Sequence, residues 1–287
     1  MASDLLAALL DTQALRLPPA GDVFWYTSGT VGPYYINTEY LYGGSEGAEE
    51  LLAFIDADKG EEDFPFRLRE RVEKQYAGDE VYRRVIDALV VQAQESGARF
   101  EAVSGGERRD WFFSLAVAER LGMPHLLIYK DLSKMLLAGG DLRPVERNEM
   151  DVLHVADLVT EASSYFRSWI PVVAEGGGKI ACAANVIDRG QGGIEALNEK
   201  GVEAGALLRV DEALFGRLLE MGRIGEGQFE VLVNYYRDPH AAMKAFLEGH
   251  PEFLRNALNG DDEKAAQRAR LLVSENTYGL DEVLWRD

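Results

Sequence analysis

The fold is decided by the stretch Asp151-Val152-Leu153-His154-Val155-Ala156-Asp157-Leu158-Val159-Thr160-Glu161-Ala162-Ser163-Ser164. Its apolar first half is typical of a buried strand that ends at Asp157. Thr160 lies in the turn that follows, and Ser163 or Ser164 suits the start of a helix, where hydroxyls accept from free backbone N–H groups. The same N–H groups can bind a phosphate. The stretch therefore predicts either a phosphate site or an ordinary capped turn.

Segments of the same kind continue on both sides of this stretch. Further short apolar strands are predicted at Phe100–Val103, His125–Tyr129, Lys179–Ile187 and Gly205–Arg209. Helices are predicted at Trp111–Leu121, Ser163–Val173 and Ile194–Lys200. Repeated strand–helix units of this type indicate an α/β fold with a doubly wound, mainly parallel sheet. Ligands of such sheets bind at the carboxyl ends of the strands.

The flanking sequence follows other patterns. Residues 4–16 predict an amphipathic helix whose acidic start is not typical of a signal peptide. Phe24–Tyr26 and Tyr34–Asn37 are strand-like runs around a turn. Lys130–Glu149 combines two glycines with mixed charge and weak periodicity, which predicts a mobile loop. After residue 211 the apolar spacing is helical throughout.

Composition narrows the classes of function. The formal charge of −19 at pH 7 disfavours binding to nucleic acids and to anionic membranes. Cys182, the single cysteine, lies in an apolar run and is predicted to be a buried structural thiol. The four histidines are scattered, so a dedicated zinc site is not predicted. No window approaches 18 apolar residues, and we expect a cytoplasmic protein without a membrane partner.

Six motifs follow one another in order between residues 4 and 210. They are Asp4–Ser28, Ser28-Gly29-Thr30-Val31-Gly32-Pro33-Tyr34-Tyr35-Ile36-Asn37, Ser104-Gly105-Gly106-Glu107, Tyr129-Lys130-Asp131, Val155–Ser164, and Ile187-Asp188-Arg189-Gly190-Gln191-Gly192-Gly193. In this order they resemble the type I phosphoribosyltransferase family, and orotate phosphoribosyltransferases in particular. The second motif is similar to the family's substrate hood, the third to its diphosphate loop, and the fifth to its signature for phosphoribosyl diphosphate (PRPP).

The resemblance implies a reaction and an organisation. Such enzymes bind PRPP with Mg²⁺, displace diphosphate at the anomeric carbon and attach a nitrogenous base such as orotate. Lysine, arginine and metal stabilise the leaving diphosphate. The implied segments are an N-terminal helix and hood (1–45), an acidic insertion of helix and exposed loop (46–80), a core (81–210) and a helical C-terminal extension (211–287). The resemblance also implies a homodimer; it assigns no residue as a metal ligand.

The matching positions give three groups of candidate residues. The catalytic candidates are Lys130, Lys134 and Asp157. The candidates for binding PRPP or phosphate are Gly105, Gly106, Glu107, Arg108, Thr160, Glu161, Ala162, Ser163 and Ser164. The candidates for binding the base are Ser28, Gly29, Tyr34, Tyr35 and Arg189. Packing of the hood explains the tyrosines nearly as well, and Arg189 is alternatively a surface residue paired with Asp188.

Several positions depart from the family pattern. Ala156 replaces the first of two acids, Ala162 and Asp110 replace glycines, and Thr27, Ser133 and Met135 stand where two lysines and a histidine are expected. These departures support an alternative to an active transferase for orotate or a related base. The alternative is a catalytically impaired homologue that senses PRPP or a nucleotide, or that assembles with a partner. An α/β protein of unrelated function is a third hypothesis.

Overall fold

A computed structural model describes residues 2–285, and strands and helices are numbered within that part. The strands are β1 Leu15–Arg16, β2 Phe24–Trp25, β3 Val31–Gly32, β4 Tyr35–Ile36, β5 Ala102–Gly106, β6 His125–Ile128, β7 Lys134–Ala138, β8 Asp141–Pro144, β9 Val152–Val159, β10 Ile180–Asp188 and β11 Glu203–Arg209. The helices are α1 Ala2–Asp11, α2 Gly44–Asp58, α3 Phe64–Gly78, α4 Glu80–Glu95, α5 Trp111–Leu121, α6 Ile170–Ala174, α7 Gly193–Glu199, α8 Glu212–Glu220, α9 Glu226–Arg237, α10 Pro239–Gly249, α11 Pro251–Asn259 and α12 Glu263–Glu275.

A seven-stranded sheet forms the centre of the α/β part, in the order β11-β10-β9-β5-β6-β7-β8. Its first five strands are parallel, and β7 and β8 run antiparallel at one edge. The order leaves β5 between β9 and β6, so the winding direction changes there. This confirms the predicted doubly wound, mainly parallel sheet.

The stretch quoted first supplies a central strand of this sheet. Val152 and Val159 of β9 are buried in an apolar cluster with α6 and the neighbouring strands. Ala156 belongs to the same cluster and has no exposed surface. The continuous apolar run is what a strand covered on both faces requires.

The segment Lys130–Glu149 forms a hairpin, so the prediction of a mobile loop was wrong. Residues 129–133 make a tight turn in which the amide of Tyr129 donates to the carbonyl of Ser133 and the amide of Leu132 donates to the carbonyl of Tyr129. Strand β7 then pairs with both β6 and β8. The sequence did not predict strand β7 because a lysine usually marks an exposed position. Lys134 is instead buried, and it is bonded to Glu175 and to the carbonyl of Val172.

Three other predictions need local correction. The helix predicted at Ser163–Val173 contains a π-helical turn at Tyr165–Trp169 that leads into α6. The acidic insertion holds two helices, α2 and α3, because Pro65 starts the second one directly after the acidic run. In the hood, β2 pairs with β3, inside the predicted turn, and not with Tyr34–Asn37.

The chain divides into two compact units. One comprises Asn37–Val210 with the segment that ends at Leu15, and the other comprises Arg16–Ile36 with the segment that begins at Asp211. In the second unit, the hydroxyl of Tyr278 accepts from the amide of Val31 at 3.1 Å, and Trp25 stacks on Phe253. Across residues 2–285, no helix has both the length and the apolar character needed to cross a membrane.

Candidate functional site

Asp157 lies near the carboxyl end of β9, in the first unit. The hydroxyl of Thr38, at the start of a 3₁₀ turn (Thr38–Leu41), donates to Oδ2 of Asp157 at 2.6 Å. Burial, and then the charge of Asp110, raise the pKa of Asp157 to about 7. A carboxyl with such a pKa can donate or accept a proton near neutral pH, which suits contact with sugar hydroxyls.

Asp110 joins the ends of β5 and β9. Its Oδ2 accepts from the amide of Gly106 at 3.0 Å, and its Oδ1 accepts from the amide of Asp157, also at 3.0 Å. The residue is only 4% exposed. Two backbone donors that point out of the sheet edge are therefore satisfied by one carboxylate of the protein itself.

The cationic side chains of the β5 loop are also bound by acids. Lys59 pairs with Glu107, Arg108 pairs with Asp56, and Arg109 pairs with Glu39 at 2.9 Å. Glu107 in addition accepts from the amide of Lys130 at 3.0 Å. Glu107 and Arg108, which are predicted to bind phosphate, connect the loop to α2 and to the β6–β7 turn.

The turn after β9 has open donors. Within residues 2–285, the amides of Glu161, Ala162 and Ser163 donate to no protein group. Gly193 packs against this turn so closely that a Cβ there would lie 2.3 Å from the carbonyl oxygen of Thr160. Ala162 is buried with a φ of 57°, a left-handed conformation that costs an L-residue roughly 1–2 kcal/mol. An alanine therefore holds here a conformation that favours glycine, the residue expected at this position by resemblance.

The hydroxyl and acidic side chains of this turn remain available. Thr160 and Ser163 are half-buried, whereas Glu161 and Ser164 are exposed. None of the four side chains bonds to another described residue. Three hydroxyls and three open amides therefore lie within residues 160–164. Donors of these two kinds bind the oxygens of a phosphate group.

A buried polar group lies beneath the β5 loop. Ser104 and Nδ1 of His154 are 3.0 Å apart, and Nε2 of His154 lies 3.8 Å from Oδ2 of Asp110. The ring of Trp169 stacks on His154 and covers Gly106, where a Cβ would lie 2.6 Å from the indole. The sequence offered no signal for this group because its members come from three separate segments.

Glu39 is a buried acid close to the bond between Thr38 and Asp157. It follows Thr38, is 4% exposed, and holds Arg109 through Oε1. Among the residues described, no group donates to its Oε2. Its charge also acts to raise the pKa of Asp157. Sequence alone favours a solvated role for a single glutamate, and only the tertiary structure places it beside Asp157.

The two candidate lysines have different surroundings. Lys130 is exposed in the β6–β7 turn, and its backbone is held by Glu107. The Lys134 side chain is 3% exposed and bonds to Glu175 and to the carbonyl of Val172. Lys130 can therefore reach solvent and a ligand, whereas Lys134 supports the packing of β7 on the segment around α6.

The remaining base-site candidates are split between the two units. Arg189 follows β10, and its amide bonds to the carbonyl of Val159. Asp188 pairs with Arg209 at 3.5 Å. In the other unit, Ser28 bonds to Thr30 and Gly29 has a φ of 79°. Tyr34 is buried against Phe215 and Tyr235, and Tyr35 bonds to the carbonyl of Trp25.

The described part of the chain provides no metal site of its own. Among residues 2–285, no three His, Cys, Asp or Glu side chains form a group that could hold a metal ion. Asp157 and Asp110 are already bonded to Thr38 and to backbone amides. With fewer than three such ligands grouped together, the described residues do not fit a magnesium ion held by the protein alone.

Comparison with solved structures identifies the fold. The orotate phosphoribosyltransferase of Francisella tularensis aligns with a TM-score of 0.54 and 15% identity, over 82% of this chain and 98% of that one. The UMP synthase of Leishmania donovani aligns with a TM-score of 0.53 and 16% identity, over 86% of this chain but only 42% of that one. No protein-family model and no curated protein sequence matches. The chain has the type I phosphoribosyltransferase fold and resembles the orotate enzymes, as predicted.

Proposed function

We propose that the protein binds a phosphoribosyl compound at the carboxyl ends of β5 and β9 and transfers the phosphoribosyl group weakly or not at all. The observation that carries the proposal is the hydrogen-bonded connection of Asp157 to the Gly105–Gly106 loop through Asp110. It brings the predicted sugar-binding acid beside the predicted phosphate loop. The turn with open amides begins three residues after Asp157, so a sugar and its 5′-phosphate have adjacent partners.

The chemistry of these groups suits recognition of a sugar phosphate. Asp157 keeps Oδ1 for a hydroxyl of the sugar, since Thr38 donates to Oδ2. Its raised pKa lets the carboxyl act as donor or acceptor near neutral pH. The phosphate takes the backbone amides of 161–163 and the hydroxyls of Thr160, Ser163 and Ser164.

The same site is poorly equipped to stabilise a leaving diphosphate. Lys59, Arg108 and Arg109 are each paired with an acid, and Lys134 is buried. A lost charged hydrogen bond costs roughly 1.5–3 kcal/mol, which corresponds to about a tenfold to hundredfold weakening. Transfer chemistry needs that stabilisation in the transition state, so binding without efficient transfer fits these residues better.

A second candidate function is transfer to orotate or a related base. It is favoured by Lys130, which is exposed and has its backbone fixed by Glu107, and by Arg189 at the end of β10, where a guanidinium suits a carboxylate. Under this candidate, Mg²⁺ would arrive with the diphosphate of PRPP, and a homodimer is expected by resemblance. Gel filtration with light scattering measures the oligomeric state directly.

Thermal unfolding and calorimetry test the first proposal. Ribose 5-phosphate or uridine 5′-monophosphate at about 100 times its dissociation constant should add about 2.7 kcal/mol to the free energy of unfolding, a rise in Tm of a few degrees. Glucose at the same concentration is the control without a phosphate. No shift with any phosphoribosyl compound contradicts the proposal. The second candidate is tested by measuring diphosphate release from PRPP with Mg²⁺ and a panel of bases. Efficient turnover with any base favours it.

A further inference from the structure

The β5 loop and the β9 turn both present backbone donors at one edge of the sheet, and a buried carboxylate of the protein is bonded to donors only at the loop. Gly106 and Asp157 donate their amides to the carboxylate of Asp110, at 3.0 Å each. The amides of 161–163 donate to no group in the described chain. Because a carboxylate has the same acceptor chemistry as a phosphate oxygen pair, Asp110 takes the place of an anion at the β5 loop.

Displacing Asp110 is opposed by its surroundings. The side chain is 6% exposed, and Trp169 covers the loop at Gly106. Ser114 packs so closely that its Oγ lies 2.2 Å from where a Cβ of Gly105 would be. The nearest cations are held by Glu39, Asp56 and Glu107. A second anionic group at this loop would meet the negative charge of Asp110 and would find the amide of Gly106 already bonded to it.

We propose that Asp110 is the specificity-determining residue of this site. It restricts the site to phosphoribosyl compounds with a single phosphate, which binds at the β9 turn, and it rejects those that carry a diphosphate on the anomeric carbon. This inference rests on the proposed function, because it concerns which member of that ligand class the site accepts. The ligand class is a sugar 5-phosphate or a nucleoside 5′-monophosphate.

Ribose 5-phosphate and PRPP test this inference, since PRPP adds only the diphosphate. Isothermal titration should give the wild-type protein at least tenfold tighter binding of ribose 5-phosphate than of PRPP with Mg²⁺. Asp110→Asn removes the charge with little change in shape, and Asp110→Gly removes the side chain. Each variant should bind PRPP at least tenfold more tightly than the wild type does, and its preference for ribose 5-phosphate over PRPP should fall by at least tenfold.

Asp87→Asn is the matched control, because it removes the same charge from an exposed position on α4. It should leave both affinities unchanged. Equal affinity of the wild type for the two ligands, or equal changes for both ligands in the Asp110 variants, overturns the inference and leaves phosphoribosyl binding intact. If neither ligand binds to any folded variant, phosphoribosyl binding itself is refuted, and the inference with it. Thermal unfolding of each variant establishes that it is folded.

Discussion

The β5 loop and the β9 turn lie on the same edge of one sheet and differ in what they offer a ligand. At the loop, Asp110 binds the amides of Gly106 and of Asp157 in β9, and the cations around it are bound by acids. The turn keeps three amides and three hydroxyls open, although Ala162 holds a conformation that favours glycine. The comparison teaches that a fold can be maintained while individual side chains decide which ligand groups it still accepts.

Restoring the missing acid at position 156 should have the largest effect. Ala156 has no exposed surface and packs in the apolar cluster around Tyr165 and Val159, so Ala156→Asp buries a carboxylate there. We expect a loss of about 3 kcal/mol or more in the free energy of unfolding, because an unpaired buried charge is that unfavourable. Urea denaturation measures it, with Ala77→Asp at an exposed position of α3 as control. Unchanged stability together with tighter binding of ribose 5-phosphate would show that position 156 faces the ligand.

Much of this edge was predictable from local sequence. The apolar run 152–156 and the polar residues after it predicted β9 and its turn, because a buried parallel strand needs little beyond local composition. The role of Asp110 was only partly predictable. The sequence showed an acid in place of a glycine, but its bonds to Gly106 and Asp157 require β5 and β9 to be neighbours.

Glu39 and Lys134 show why the rest was not predictable. A glutamate or lysine is usually solvated, so a sequence gives no reason to bury one. In the structure Glu39 is 4% exposed and the Lys134 side chain is 3% exposed. Each is held by a charge from a distant segment, Arg109 and Glu175 respectively. Such pairs are set by tertiary contacts that no local pattern encodes.

The pH dependence of stability should reveal the raised pKa of Asp157, whose amide is bonded to Asp110. With a pKa of about 7 in the folded state, Asp157 is protonated there between about pH 4 and pH 7 while it is ionised in the unfolded chain. The folded state then binds more protons, so this group lowers stability as pH rises through that range, by at most about 1.4 kcal/mol per pH unit. Asp157→Asn should flatten this decline in Tm and raise Tm most above pH 7.

Glu199→Gln, an exposed acid at the end of α7, is the control and should leave the slope unchanged. Asp110→Asn provides a second check, since the charge of Asp110 helps to raise the pKa of Asp157. It should also make the slope shallower. A slope that stays the same in Asp157→Asn would mean that another group titrates in this range.

Gly193→Ala should damage the β9 turn and leave the β5 loop intact. A methyl group at 193 would lie 2.3 Å from the carbonyl oxygen of Thr160 and 2.9 Å from the amide of Ala162, which are backbone atoms with little freedom to move. We expect destabilisation of about 1–3 kcal/mol and at least tenfold weaker binding of ribose 5-phosphate. Gly60→Ala, with open space around it, is the matched control and should be close to neutral. Normal binding in a destabilised Gly193→Ala protein would place the phosphate elsewhere.

Ala162→Gly should have the smallest effect on stability, and it should strengthen ligand binding where Gly193→Ala weakens it. Glycine relieves the positive φ at this position, roughly 1–2 kcal/mol, but it gives up a buried methyl worth about 0.8 kcal/mol and adds freedom to the unfolded chain worth about 0.4–1 kcal/mol. The free energy of unfolding should therefore change by less than about 1 kcal/mol. Binding of ribose 5-phosphate should tighten by a few fold, since the backbone of the turn can approach the phosphate more closely. Titration of the variant against wild type measures this, and weaker binding would mean that the methyl group of Ala162 holds the turn in its binding conformation.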